Sequence, residues 1–115
     1  MGVSEPLIQA SLLGEAVEHG PAAVFVADEE GRYVAVNQAA CALLGYPREE
    51  LLSLQVTDLV EDTGKWEEMR QSGRVSGRSS LTCKDGTLVE FTYVAGATVV
   101  AGMPVYVAVG IGETD

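Results

Sequence analysis

Basic residues are scarce in this chain: seven Lys and Arg stand against 17 Asp and Glu, a formal net charge of −10. Phosphate backbones and anionic lipid surfaces are bound by clustered cations, so neither nucleic acid nor a membrane is an expected partner. The acidic excess calls for no partner of its own, because net charge alone keeps a domain soluble. Long apolar runs are missing too. No stretch approaches the roughly 20 consecutive apolar residues that a membrane span requires, and the first residues lack the basic-then-apolar order of a signal peptide. A soluble, cytoplasmic domain is the expectation. Cysteine is limited to Cys41 and Cys83, without the close spacing of a zinc site. Two reduced thiols are the economical reading in the cytosol, with a disulfide as the alternative. The single histidine, His19, has no nucleophile or base grouped with it in a motif. Acid–base and covalent catalysis therefore have no candidate residues, and the chain is read as neither an enzyme nor a metal protein.

What is present suits one domain: 115 residues, 47% of them hydrophobic, enough for a single core. After a short polar opening expected to fray, Leu7, Ile8, Leu12, Leu13, Ala16 and Val17 recur at helical spacing. They predict an amphipathic helix over residues 7–19, ended by Gly20 and Pro21. Residues 22–27 and 32–36 read as the two strands of a hairpin around Asp28-Glu29-Glu30-Gly31. Asn37 is a good N-cap for a helix over 38–44 that Gly45 stops. Short helical turns are expected at 47–52 and at 58–60, the second capped by Thr57. A last helix over 65–71, capped by Asp62 or Thr63, ends at Gly73. Three strands follow, over 75–84, 87–98 and 103–111, turned by Asp85-Gly86 and Ala101-Gly102. Strands grouped this way predict an α+β fold, an antiparallel sheet with helices on one face.

The order Ala22 to Asp28, Gly31-Arg32, Val36-Asn37-Gln38-Ala39-Ala40, Leu44-Gly45-Tyr46 and Glu49-Glu50-Leu51 resembles the N-terminal half of a PAS domain. The Lys84-Asp85-Gly86-Thr87 turn is similar to that family's late hairpin. The resemblance covers about residues 21–112 and implies a five-stranded antiparallel sheet of order 2-1-5-4-3 cupped around short helices. Residues 1–20 are then an N-terminal cap helix and 21–115 the PAS domain proper. Many bacterial members end in Asp-x-Thr, whereas the matching stretch here is Gly112-Glu113-Thr114. The family implies bacterial signalling, with an attached or partner effector such as a histidine kinase or a cyclic-dinucleotide enzyme.

Cofactor classes of the family can be tested by the residue each demands. Haem needs an axial histidine on the helix over 65–71, which has none, and His19 maps outside the cavity, where it is expected to satisfy helix-terminal carbonyls. The covalent flavin class needs a cysteine near residues 55–60, and none is there. Neither cofactor is expected, and a non-covalent flavin has no positive support. Cys41, among Ala39, Ala40, Ala42 and Leu43, reads as a small buried hydrophobe, and Cys83 beside its turn as the more exposed thiol.

The resemblance, aligned on the Asp85-Gly86 turn, directs Phe91, Tyr93, Tyr106 and Ala108 toward the cavity, joined by Ser79 and Leu81. They either pack an ordinary core or line a pocket in which hydroxyl groups orient a small, largely apolar ligand. Val105, Val107 and Val109 make the last strand apolar on its other face as well. That face needs a cover, which Leu7, Ile8, Leu12, Leu13 and Val17 of the first helix would supply from the same chain or from a partner's, and a parallel homodimer is the expectation. Two functions follow: a ligand-responsive sensor, or a ligand-free dimerisation and transmission module.

Overall fold

The computed structural model describes residues 5–113. Of the opening expected to fray, Met1–Ser4 lie outside the described residues, as does Thr114, while Pro6 already begins the first helix. Ten elements follow in order: α1 (Pro6–Glu18), β1 (Ala23–Ala27), β2 (Tyr33–Val36), α2 (Gln38–Leu44), α3 (Arg48–Leu51), α4 (Val56–Leu59), α5 (Gly64–Ser72), β3 (Arg74–Thr82), β4 (Leu88–Val100) and β5 (Met103–Glu113). The strands form one antiparallel sheet of order β2-β1-β5-β4-β3, as the resemblance implies.

Alternation along the strands decides what this sheet buries. Ala23, Phe25 and Ala27 of β1 turn one way, as do Val75 and Leu81 of β3 and Val89, Phe91 and Ala95 of β4. Against that face lie Ala40 and Leu44 of α2, Leu51 of α3, Val56 and Leu59 of α4, and Trp66 and Met69 of α5. Leu44, Leu51 and Leu59 are the largest side chains buried outright. Each comes from a different short helix, and truncating one such leucine typically costs about 2–5 kcal/mol. Burial of one anchor per helix therefore holds segments too short to be helical alone.

Local chemistry sets the ends of these helices. Asn37 caps α2, accepting from the Ala40 N–H at 3.1 Å, and Gly45 closes it in the left-handed conformation. The cap of α4 differs from expectation. Gln55, not Thr57, occupies it, because the Asp58 carboxylate reaches back to accept from the Gln55 N–H at 2.8 Å. Thr63 is the cap residue of α5 but makes no side-chain cap bond, while Asp62 accepts from the Gly64 N–H at 2.9 Å. The turn between β4 and β5 places Ala101 at φ 51° and Gly102 at φ 78°, the two positive angles of a tight hairpin.

The buried amide of Asn37 joins three elements. It is the one polar residue of the described chain classed as buried, at 4% exposure. Its oxygen accepts from Val24 N–H (2.9 Å) and Ala40 N–H, and its nitrogen donates to Val17 O (2.7 Å) and Ala22 O (2.8 Å). The end of α1, the start of β1 and the first turn of α2 thus meet on one side chain. Removing it strands two backbone donors and two acceptors, at about 1–3 kcal/mol for each group that water does not reach. Asn37→Ala is expected to lower unfolding free energy by about 2–4 kcal/mol in urea titration. A loss below about 1 kcal/mol would show that these groups find other partners.

Candidate functional site

Between the sheet and the α4–α5 segment lies a cavity of about 70 Å³. Its floor is the inner face of the strands and its roof is Val56 and Val60 with Lys65, Trp66 and Met69. All six strand residues that the sequence directs inward line it: Ser79 and Leu81 from β3, Phe91 and Tyr93 from β4, Tyr106 and Ala108 from β5. The ladder explains why they converge. Ser79 pairs with Phe91, and Tyr93 pairs with Gly110, two residues along from Ala108, so residues spaced by two on three neighbouring strands share one face.

The lining is largely aromatic. Phe91 stacks on Tyr93 at 5.4 Å between centroids and meets Phe25 edge-on at 5.5 Å, and Phe25 contacts Tyr33 at 5.7 Å. Trp66 meets Tyr106 edge-on at 5.1 Å, and the Arg70 guanidinium lies 5.8 Å from the indole on α5. Gly31 makes room for that indole: a Cβ there would lie 3.2 Å from the Trp66 ring. Polar groups at the cavity are few. Ser79 Oγ and Tyr93 OH are hydrogen-bonded at 3.2 Å, and Lys65 supplies the one charged side chain of the lining.

Candidates drawn from β3 to β5 alone leave out the roof and the wall formed by β1 and β2. Phe25, Tyr33, Trp66 and Met69 line the cavity equally. A signal for the last two was present: Trp66 and Met69 are three apart, on one face of a helix whose other positions are mostly charged. The short α4, with Val56 and Val60 four apart, offered only a weak periodicity.

Three other positions differ from expectation. Cys83 is buried, its thiol 3.6 Å from Leu43 O, because the Asp85-Gly86 hairpin folds back and Lys84 N–H donates to Leu44 O. Cys41 is the more accessible thiol, and burial, the largest influence on it, pushes it up and away from thiolate. His19 caps α1, but its ring bonds the Gln38 side chain at 3.1 Å rather than helix carbonyls.

The outer face of the sheet is apolar along β5, as the valine row implies, and polar on β3, where Arg78 pairs with Glu90. Its apolar residues are not alike. Val105 is 2% exposed and already buried within the chain, so it offers nothing to a partner. Val107 is half-buried and Val109 exposed, the latter paired with Val94, which is 58% exposed. Ile111, next on that face, is 65% exposed. The helix α1 buries none of its residues: Leu7, Leu12, Leu13 and Val17 are exposed and Ile8 is half-buried. Its last turns flank an apolar groove over Val24, Val26 and Ala35. An ion pair from Arg48 to Glu18 (2.5 Å) ties its end to α3.

Among the titratable groups, Tyr33 is the one most displaced. Burial pushes its phenol up, and the nearby Asp58 charge adds to the effect. Its folded value lies above that of the unfolded chain, ~10. Above that pH the unfolded chain releases a proton that the folded one keeps, so stability is intact below it and declines as pH rises. The urea midpoint is expected to fall between about pH 9 and pH 11, and to fall less in Tyr33→Phe. Equal slopes would mean that Tyr33 does not drive the decline.

The chain matches the family model described as a PAS domain over residues 21–111. No curated protein matches it. Among solved structures it is similar to a PAS domain from a two-component sensor histidine kinase, with a TM-score of 0.82 and 18% identity, covering 95% of this chain and 100% of that one. A PAS domain of an HTR-like protein from Haloarcula marismortui gives 0.80 and 21% over 91% and 92%. A domain of a sensory box sensor histidine kinase/response regulator from Geobacter sulfurreducens gives 0.78 and 21% over 96% and 99%.

Proposed function

The chain belongs to the PAS domain family, and from that premise we propose that it is a signal-sensing domain whose cavity takes a small, largely apolar ligand. Occupancy is read out by an attached or partner effector in bacterial signal transduction, a histidine kinase or a cyclic-dinucleotide enzyme being the expected kinds. Residues 1–20 serve as the cap helix and 21–115 as the sensing domain, working in the cytoplasm. The carrying observation is the aromatic-lined cavity with its Ser79–Tyr93 hydroxyl pair. Apolar walls give affinity and a few convergent polar groups give orientation. Ser79, Leu81, Phe91, Tyr93, Tyr106 and Ala108 are its proposed ligand contacts. Sensing, not catalysis, is the role these residues suit.

Native mass spectrometry of freshly purified protein is expected to give a reproducible additional mass. Ala108→Leu, which fills the cavity from the floor, is expected to lose it while the protein stays folded. A single unliganded mass in both proteins would overturn the ligand reading.

The second reading is a ligand-free module for dimerisation and signal transmission, and a different observation favours it. Leu7 is 84% exposed, Leu12, Leu13 and Val17 are exposed on the same helix, and Val94, Val109 and Ile111 are exposed on the sheet. Contiguous apolar surface of this kind marks an association site. Leu7, Ile8, Leu12, Leu13 and Val17 with Val107 and Val109 are the proposed interface of a parallel homodimer. Sedimentation equilibrium is expected to report a dimer at micromolar concentration, and the double change Leu12→Glu with Leu13→Glu to give a monomer. A monomeric parent chain would count against the interface.

A further inference from the structure

The cavity carries one charged side chain, and its placement identifies the chemistry of the ligand. Only seven basic residues occur in the chain, yet one of them, Lys65, lines the cavity. No Asp or Glu does. Lys65 stands in the first turn of α5 and reaches across to β3, where its Nζ donates to Ser76 O at 3.3 Å. Position 77 is what admits it. A Cβ on Gly77 would lie 3.1 Å from Lys65 Nζ and 3.2 Å from its Cε, a tight contact, so the lack of a side chain there eases the approach of the ammonium.

That space adjoins the cavity's other polar groups. Gly77 pairs with Tyr93, and Ser79 is two residues along the same strand face, about 6–7 Å away. The ammonium, the Ser79 hydroxyl and the Tyr93 hydroxyl therefore share the β3–β4 side of the cavity, while Trp66, Phe25 and Tyr106 make the rest apolar. An ammonium has three donors. Among the described residues Lys65 Nζ has one hydrogen-bonded acceptor, Ser76 O, and the Glu68 carboxylate stands at 4.0 Å, a loose contact. The Lys65 side chain is 39% exposed, so its remaining donors are open to solvent or to a ligand that displaces it.

We infer that the ligand is a short-chain monocarboxylate, its tail in the aromatic cage and its carboxylate on Lys65, Ser79 and Tyr93. The inference rests on the ligand reading given above. A charge-assisted hydrogen bond is about twice as strong as a neutral one, and no other charged group in the lining supplies it. Size limits the tail. A cavity of about 70 Å³ is roughly half the ~150 Å³ that holds benzene, so acids of a few carbons fit and long-chain fatty acids do not.

Isothermal titration of the full chain with sodium butyrate, butyramide, 1-butanol and sodium decanoate at fixed ionic strength tests this. Butyrate is expected to bind saturably, with the amide and the alcohol weaker by about tenfold or more and decanoate not bound at the same site. Lys65→Met, which keeps the aliphatic packing, is expected to bring butyrate down to the level of the amide, with an unchanged circular dichroism spectrum. Equal binding of butyrate and its neutral analogues by the parent chain overturns the acid assignment and leaves the ligand reading standing. Binding by none of the four overturns both.

Discussion

Four hydrogen bonds on one buried amide hold the two ends of the design together. Asn37 takes Val24 N–H and Ala40 N–H on its oxygen and gives its two N–H groups to Val17 O and Ala22 O. A helix end, a strand start and a helix start each leave backbone groups unpaired, and burying three such points together would be costly without a common partner. Asn is suited to this because its side chain carries both acceptor and donors. From that point β1 runs into the sheet beside the central β5 and α2 turns back over its inner face.

Everything else follows from the two faces of the sheet. The inner face holds large aromatic residues beside small ones. Phe91 and Tyr93 stand next to Ala95 and Ala108, so the core is filled at its edges and left with a void near the middle. The void persists because the roof helices α4 and α5 are short and each is fixed by its own buried anchor, Leu59 or Trp66. They cannot slide inward together. The outer face is the opposite case along β5 and the adjoining part of β4, where Val94, Val109 and Ile111 have little cover from the chain itself.

The fold was legible in the sequence to a large degree because its signals are local. Asn37 before an apolar helix, Asp85-Gly86 between alternating runs and glycines at helix ends each specify a backbone event within a few residues, and the elements fall within a residue or two of expectation. The inward strand residues were legible for the same reason, period two being fixed once the turn is placed. What was not legible depends on residues distant in sequence. Cys83 is buried because the chain around Leu43 and Leu44 lies over it. Val105 is buried although its strand neighbours Val107 and Val109 are progressively more exposed. Lys65 reads as one more solvated lysine until Gly77, on another element, is seen to leave a place for it.

The sheet order has a mechanical consequence. The strands β3, β4 and β5 form a meander joined by tight turns, and β1 and β2 form a separate hairpin, so each half is built from neighbours in sequence. One ladder alone, Ala23–Ala27 against Tyr106–Gly110, sews the halves together, and it runs through the centre of the sheet. The chain enters this seam directly from α1 through Gly20 and Pro21 and leaves it along the far end of β5. The start of β1 and the last residues of β5 therefore lie at the same end of this seam, and a displacement of α1 against β1 is felt at the middle of the sheet rather than at its rim.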